Sequence, residues 1–238
     1  MSTFIKNVLK NVYKNQRSAQ KYELDHAIVF MKSDYFKNLH KDFIVGSLNI
    51  SNGHCDDLML KEFFLDNKNN WFEFIKHIKD KNCLDIGPCV FSPLSTWDIA
   101  KKRYGIEPLY NKINYWQKQN LSSSVYENMD VFNESAEKLI KNLVNQIDGA
   151  ILCRNMLDHT DKWPFVLINM ANYAKPKCKL LLWTDLHHYG KEDEGHFNIT
   201  MDVNAFKLFI KTIGFRIIRE FNNPDRATLN WGCFAEKV

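Results

Sequence analysis

From residue 82 onward, short apolar runs alternate with amphipathic stretches, the pattern of strands interleaved with crossover helices around a parallel sheet. It predicts seven strands, over residues 82–87, 103–107, 123–126, 149–153, 179–184, 215–221 and 228–236. Helices are expected between them over 93–102, 109–118, 136–146, 163–174 and 203–213, with Gly214 as a C-terminal stop for the last. Too few residues separate the final two strands for a helical crossover, so they should pair antiparallel at one sheet edge.

The first third reads differently. Phe4, Ile5, Val8, Leu9, Val12 and Tyr13 form an apolar stripe at helical spacing, with basic residues mostly on the other face. Such a helix either packs on the body or contacts an anionic membrane or a partner. Residues 23–70 mix apolar groups with turn signals such as Ser51-Asn52-Gly53, and 71–78 form another short amphipathic helix. The division expected is an N-terminal helical cap, 1–78, before a core of 79–238.

Composition narrows the possibilities. A chain of 238 residues that is 45% hydrophobic can bury one sizeable core and is not disordered or fibrous. The formal net charge is +4, but Lys6, Lys10, Lys14, Arg17 and Lys21 all precede the first acidic residue, Glu23. Subtracting those five from 32 basic residues leaves 27 against 28 acidic ones, so the body is neutral. That argues against a broad nucleic-acid-binding face and leaves peripheral contact through residues 1–21 open. No apolar run approaches the ~18 residues of a membrane span, and lysines interrupt the N-terminus where a secretory signal would be apolar, so a cytoplasmic location is expected. Six cysteines without a CxxC pair read as buried free thiols.

In an open α/β sheet, ligands bind beyond the carboxyl ends of the strands. The segments there are polar throughout: Asp85-Ile86-Gly87-Pro88, Glu107-Pro108-Leu109, Arg154-Asn155-Met156-Leu157-Asp158-His159, and Thr184-Asp185-Leu186-His187-His188. A glycine after the first strand allows close backbone approach to a ligand. An acidic residue ending the second strand can accept hydrogen bonds from both hydroxyls of a ribose, and Glu107 follows Gly87 at the reach of one strand-helix-strand unit.

Over residues 80–236 the sequence resembles the class I S-adenosylmethionine-dependent methyltransferases. The resemblance lies in the order of Leu84-Asp85-Ile86-Gly87-Pro88, Gly105-Ile106-Glu107-Pro108-Leu109, Ser135-Ala136-Glu137-Lys138-Leu139, Asn155-Met156-Leu157-Asp158-His159, and Lys175-Pro176 before a strand. With the late Gly195-His196 pair, it looks most like a branch rich in small-molecule and glycan-modifying enzymes. The fold implied is a seven-stranded, mostly parallel Rossmann-like sheet with an antiparallel C-terminal edge strand.

The resemblance implies that Asp85 and Gly87, with Pro88 beside them, meet the amino-acid end of S-adenosylmethionine. Glu107, followed by Pro108 and Leu109, would meet the ribose; Ser135, Ala136 and Glu137 the adenine edge; and Asn155 the neighbourhood of the methionine. Cys89, Val90 and Phe91 stand where most members carry further glycines. Cys89 and Ser92 also replace the glycines that an NAD pyrophosphate loop requires, which argues against NAD.

Histidine titrates nearest neutral pH, so His196, then His187, then His159 are the candidate bases, with His188 adjacent. His159 has a structural alternative as a cap or packing residue. The cluster of Asp185, His187, His188, Glu192, Asp193, Glu194 and His196 lacks zinc-ligand spacing and reads as a charged lid, without a metal. The expectation is methyl transfer to a small-molecule or sugar acceptor, O-methylation first, with a role in surface glycan or capsule biosynthesis. The alternative is a non-catalytic relative that serves as a binding or scaffold subunit.

Overall fold

The computed structural model describes residues 16–54, 63, 64, 67–121, 123–160, 162–188, 199, 201–222 and 228–238, with the backbone alone at 16–21, 187, 188, 228 and 229. The stripe at 4–13 and the segment holding Glu192, Asp193, Glu194, Gly195 and His196 lie outside these residues.

The strands are β1 (Asn82–Ile86), β2 (Lys102–Ile106), β3 (Asp130–Phe132), β4 (Ala150–Arg154), β5 (Lys179–His188), β6 (Phe215–Phe221) and β7 (Thr228–Lys237). They form one sheet in the order β3-β2-β1-β4-β5-β7-β6, parallel from β3 through β5. β7 runs antiparallel between β5 and β6, which leaves β6 at the edge. This is the seven-stranded Rossmann-like α/β sheet expected.

Because successive strand residues face opposite sides, each strand feeds two apolar layers. Leu84, Ile86, Ile151, Cys153, Leu180 and Leu182 face one layer; Cys83, Ala150, Leu152, Leu181, Trp183 and Phe234 face the other. The helices are α1 (Gln16–Lys32), α2 (Asp34–Ile44), α3 (Lys68–Ile78), α4 (Tyr110–Leu121), α5 (Trp163–Tyr173) and α6 (Val203–Thr212). α5 and α6 cover the first face, while the second lies under α1 to α4.

The N-terminal helices pack directly on the sheet. Ser33 caps α2 by accepting the Phe36 N–H at 3.2 Å, and the helix buries Phe36, His40 and Phe43 on one stripe. α3 turns Trp71, Phe74 and Ile78 inward. Phe64, Trp71, Phe74, Trp97 and Phe234 then meet edge-on or tilted at centroid separations of 5.1–6.2 Å. At the other end, Asp202 caps α6 through the Ala205 N–H, and Gly214 at φ +93° stops it as expected.

Three expected elements differ. Residues 123–126 are a buried turn and not a strand: Gln117 Oε1 takes the Val125 N–H at 3.2 Å and the Ser124 hydroxyl at 3.1 Å. A segment whose polar groups are taken by a helix side chain has less need of a sheet partner. β3 forms later, where Val131 pairs with Gly105. Instead of a helix over 93–102 there is one 3₁₀ turn, Pro93–Thr96. There the Ser95 and Thr96 hydroxyls turn back onto the carbonyls of Ser92 and Pro93, competing with helix propagation. The helix expected over 136–146 shrinks to Lys141–Leu143, because α5 supplies the bonds: Asn169 Nδ2 donates to Ala136 O, and Tyr173 Oη accepts the Ile140 N–H, both at 2.9 Å. Cys83, Cys153, Cys178 and Cys233 are buried free thiols as expected, Cys89 is a half-buried one, and Cys55 lies outside the described residues.

Candidate active site

Strand order reverses between β1 and β4, and the loops leaving β1, β2, β3 and β4 enclose one cleft of about 750 Å³, its open mouth included. The cleft lies at the place where an open α/β sheet offers a small-molecule site.

The loop after β1 is bent by two left-handed residues, Gly87 at φ +68° and Cys89 at φ +49°. A Cβ on Gly87 would lie 2.3 Å from Met156 Cγ, so glycine is required by conformation and by space. Cys89 takes a conformation that suits glycine, and two bonds hold it there: its N–H donates to Glu107 Oε2 at 3.0 Å, and its carbonyl accepts the Tyr126 hydroxyl. The departure from the glycine-rich pattern is therefore accommodated by neighbouring side chains.

Glu107 ends β2 with both carboxylate oxygens oriented, Oε1 accepting the Leu109 N–H at 2.8 Å. It is 4% exposed, and burial pushes its pKa up to about 7 against the pull of the two N–H bonds; the charges of Glu23 and Asp85 act in the same direction as burial. Gly87, Glu107, Pro108, Leu109, Ser135, Ala136, Glu137 and Asn155 all line the cleft. On the far wall, Glu137 accepts the Thr160 hydroxyl.

Two residues assigned to the cofactor stand behind that lining. Asp85 is buried and accepts the Ser92 hydroxyl at 2.6 Å, its pKa pushed up to about 6 by burial. Pro88 is buried too, so both shape the loop from beneath it.

Asn155 sits at φ +48°, its N–H donating to Trp183 O at 2.8 Å. Its Oδ1 is buried with no hydrogen-bond partner among the described residues. A buried acceptor with no protein partner, at a cleft wall, is open to a donor from a ligand.

The histidines separate. His159 lines the cleft, with Nδ1 2.9 Å from Glu23 Oε1. His187 and His188 do not open a loop: β5 runs on through them, opposite Leu229 and Thr228, past a register shift after Asp185. Extra pairing with β7 lengthens that strand beyond its apolar run. His196 lies outside the described residues. Sequence reasoning missed Glu23, Cys89, Met156, Thr160 and Val166 as lining residues. Met156 lies within, and Thr160 directly after, a segment already singled out, whereas Glu23 gave no signal beyond its place in a helical stretch.

The Gly87 cradle, the Glu107 carboxylate and the orphaned Asn155 oxygen fit a nucleoside carrying a cationic amino-acid end. No protein-family model matches the chain, and no curated protein matches it in sequence. Solved structures do. A candidate sarcosine dimethylglycine methyltransferase from Galdieria sulphuraria superposes with a TM-score of 0.54 at 13% identity, over 71% of this chain and 82% of that one. An S-adenosylmethionine-dependent methyltransferase from Aquifex aeolicus gives 0.51 at 18% identity, over 77% and 94%. The [4+2]-cyclase SpnF gives 0.51 at 11% identity, over 70% and 79%. The chain has the Rossmann-like fold of the S-adenosylmethionine-dependent methyltransferases, a fold that also carries a cyclase.

Proposed function

We propose that the chain is an enzyme, an S-adenosylmethionine-dependent methyltransferase acting on a small-molecule acceptor. Since the fold serves more than one reaction, the reading rests on the site. The observation that carries it is Glu107: a buried carboxylate at the end of β2, oriented by two backbone N–H groups and lining the same cleft as Gly87, Ser135 and Asn155.

The residues present fit the cofactor. Glu107 would accept the two ribose hydroxyls, the loop at Gly87 and the oxygen of Asn155 would meet the amino-acid end, and Ser135, Ala136 and Glu137 would border the adenine. Bound there, S-adenosylmethionine supplies an electrophilic methyl group on a sulfonium. The work left to the chain is alignment and exclusion of water, and positioning of this kind lowers barriers by up to ~7–11 kcal/mol. Of the candidate bases, His159 lines the cleft and is oriented by Glu23, so it comes before His187 and His196 for taking a proton from a hydroxyl acceptor.

A sugar or other hydroxyl acceptor, destined for a surface glycan, is the finer reading, supported by the resemblance of the Asn155-to-His159 and Gly195-His196 segments. The helices of 1–78 would shape the acceptor side, and the basic stretch of 1–21 would give peripheral contact with an anionic surface. No described helix is long and apolar enough to cross a membrane. Methyl transfer from labelled S-adenosylmethionine to a panel of sugars, sugar nucleotides and small amines tests this. Transfer to a sugar hydroxyl is the expected result; transfer to amines alone would overturn the O-methylation reading, and cofactor binding without transfer to any acceptor would favour the scaffold alternative.

A further inference from the structure

Among the described residues that line the cleft, Glu23 alone comes from the N-terminal helices. Its Oε1 meets His159 Nδ1 at 2.9 Å, with the side chains only 27% and 18% exposed, so the contact joins α1 to the loop that leaves β4. Along the same helix the remaining attachment is apolar. Ala27 and Met31 are buried, and Gln117 Nε2 of α4 donates to Met31 Sδ at 3.6 Å. The helix is thus fixed by apolar packing, with Leu24 and Ile28 half-buried against the same core, and reaches the cleft through the Glu23–His159 contact. Glu23 is also close enough for its charge to hinder ionisation of Glu107. Swinging Glu23 away would ease formation of the carboxylate that receives a ribose.

We propose that the Glu23–His159 pair is a latch holding α1 across the cleft, and that its opening sets the rate at which the cofactor enters and leaves. This rests on reading the cleft as the cofactor site. A partly buried, charge-assisted contact between two chain elements is strong enough to keep a helix closed and weak enough to break on the time scale of ligand exchange. Glu23 acts here through His159 and is a positioning residue.

Stopped-flow binding of S-adenosylhomocysteine to the full chain and to E23Q, E23A, H159Q and E23A/H159Q tests the latch. Both rate constants should rise in E23A, dissociation by roughly tenfold, while Kd changes less than either rate. The double variant should be no faster than the singles, since either change opens the same contact. Amide hydrogen exchange across residues 16–32 should quicken in E23Q, which keeps the shape of the side chain and guards against misfolding of E23A. Rates within about twofold of wild type in every variant would overturn the proposal, as would faster dissociation with unchanged association and additive effects in the double variant, the pattern of an ordinary lost contact. Failure of the wild-type chain to bind S-adenosylhomocysteine would remove the cofactor reading and this role with it; normal binding with unaltered variant rates removes the latch alone.

Discussion

The backbone N–H of Cys89 donates to Glu107 Oε2 at 3.0 Å, which fastens the loop after β1 to the residue that ends β2. The cleft floor therefore depends on one buried carboxylate, and its ionisation links ligand binding to stability.

Burial raises the Glu107 pKa from an ordinary 4.5 to about 7, so the fold favours the protonated form. That contribution to stability is fully present below about pH 4.5 and is lost as pH rises through about 7, on the order of 3 kcal/mol in all. Asp85, raised to about 6 by burial, loses its share over a lower window. Urea unfolding of the ligand-free protein should show declining stability from about pH 5 to about pH 8, and Glu107→Gln should flatten much of the decline. An identical slope in the variant would refute this. S-adenosylhomocysteine affinity should move the other way, rising through about pH 7 as the accepting carboxylate forms, and staying flat in Glu107→Gln.

Gly87→Ala places a Cβ 2.3 Å from Met156 Cγ on a residue at φ +68°. The variant should lose roughly 2 kcal/mol of stability and bind S-adenosylhomocysteine more weakly. Adding Met156→Ala should restore part of the affinity by making room, while the backbone strain persists. A double variant no better than Gly87→Ala would mean that the steric contact is not the cause.

Asn155→Gly should separate stability from function. It removes a buried acceptor that has no partner among the described residues and relieves a left-handed backbone at φ +48°. The ligand-free protein should be as stable as wild type or up to about 1 kcal/mol more stable, and cofactor affinity should fall. Loss of both together would assign Asn155 a structural role only.

Trp71→Ala tests how firmly the N-terminal helices belong to the sheet. Trp71 is 2% exposed and packs against Phe64 and Phe74 over the sheet face that carries Phe234. Its truncation should cost about 3–5 kcal/mol in a single unfolding transition. Two transitions, with the sheet unaffected, would show that the helices fold apart from it.

Much of this architecture was legible because the signals were local. Glu107 stands out by its spacing to Gly87 and by the polar ends of apolar runs, and the antiparallel β6–β7 pairing follows from strand periodicity and the short connection between the two. What stayed hidden depends on which side chains take up backbone groups. The crossovers at 93–102 and 136–146 look helical, but hydroxyls on Ser95 and Thr96 and side chains of Asn169 and Tyr173 satisfy their backbone in other ways. Val125 and Tyr126 suit a strand, but Gln117 captures the Ser124 hydroxyl and the Val125 N–H. Glu23 is one more polar residue on a helix until the fold sets it beside His159.

Calorimetric titration with S-adenosylhomocysteine at about pH 8, where Glu107 is ionised, tests the central claim most directly. The account predicts one site per chain, with affinity reduced at least ~30-fold, or about 2 kcal/mol, in Glu107→Ala. A wild-type chain that takes up no ligand, or a Glu107→Ala variant that binds as tightly as wild type, would contradict it.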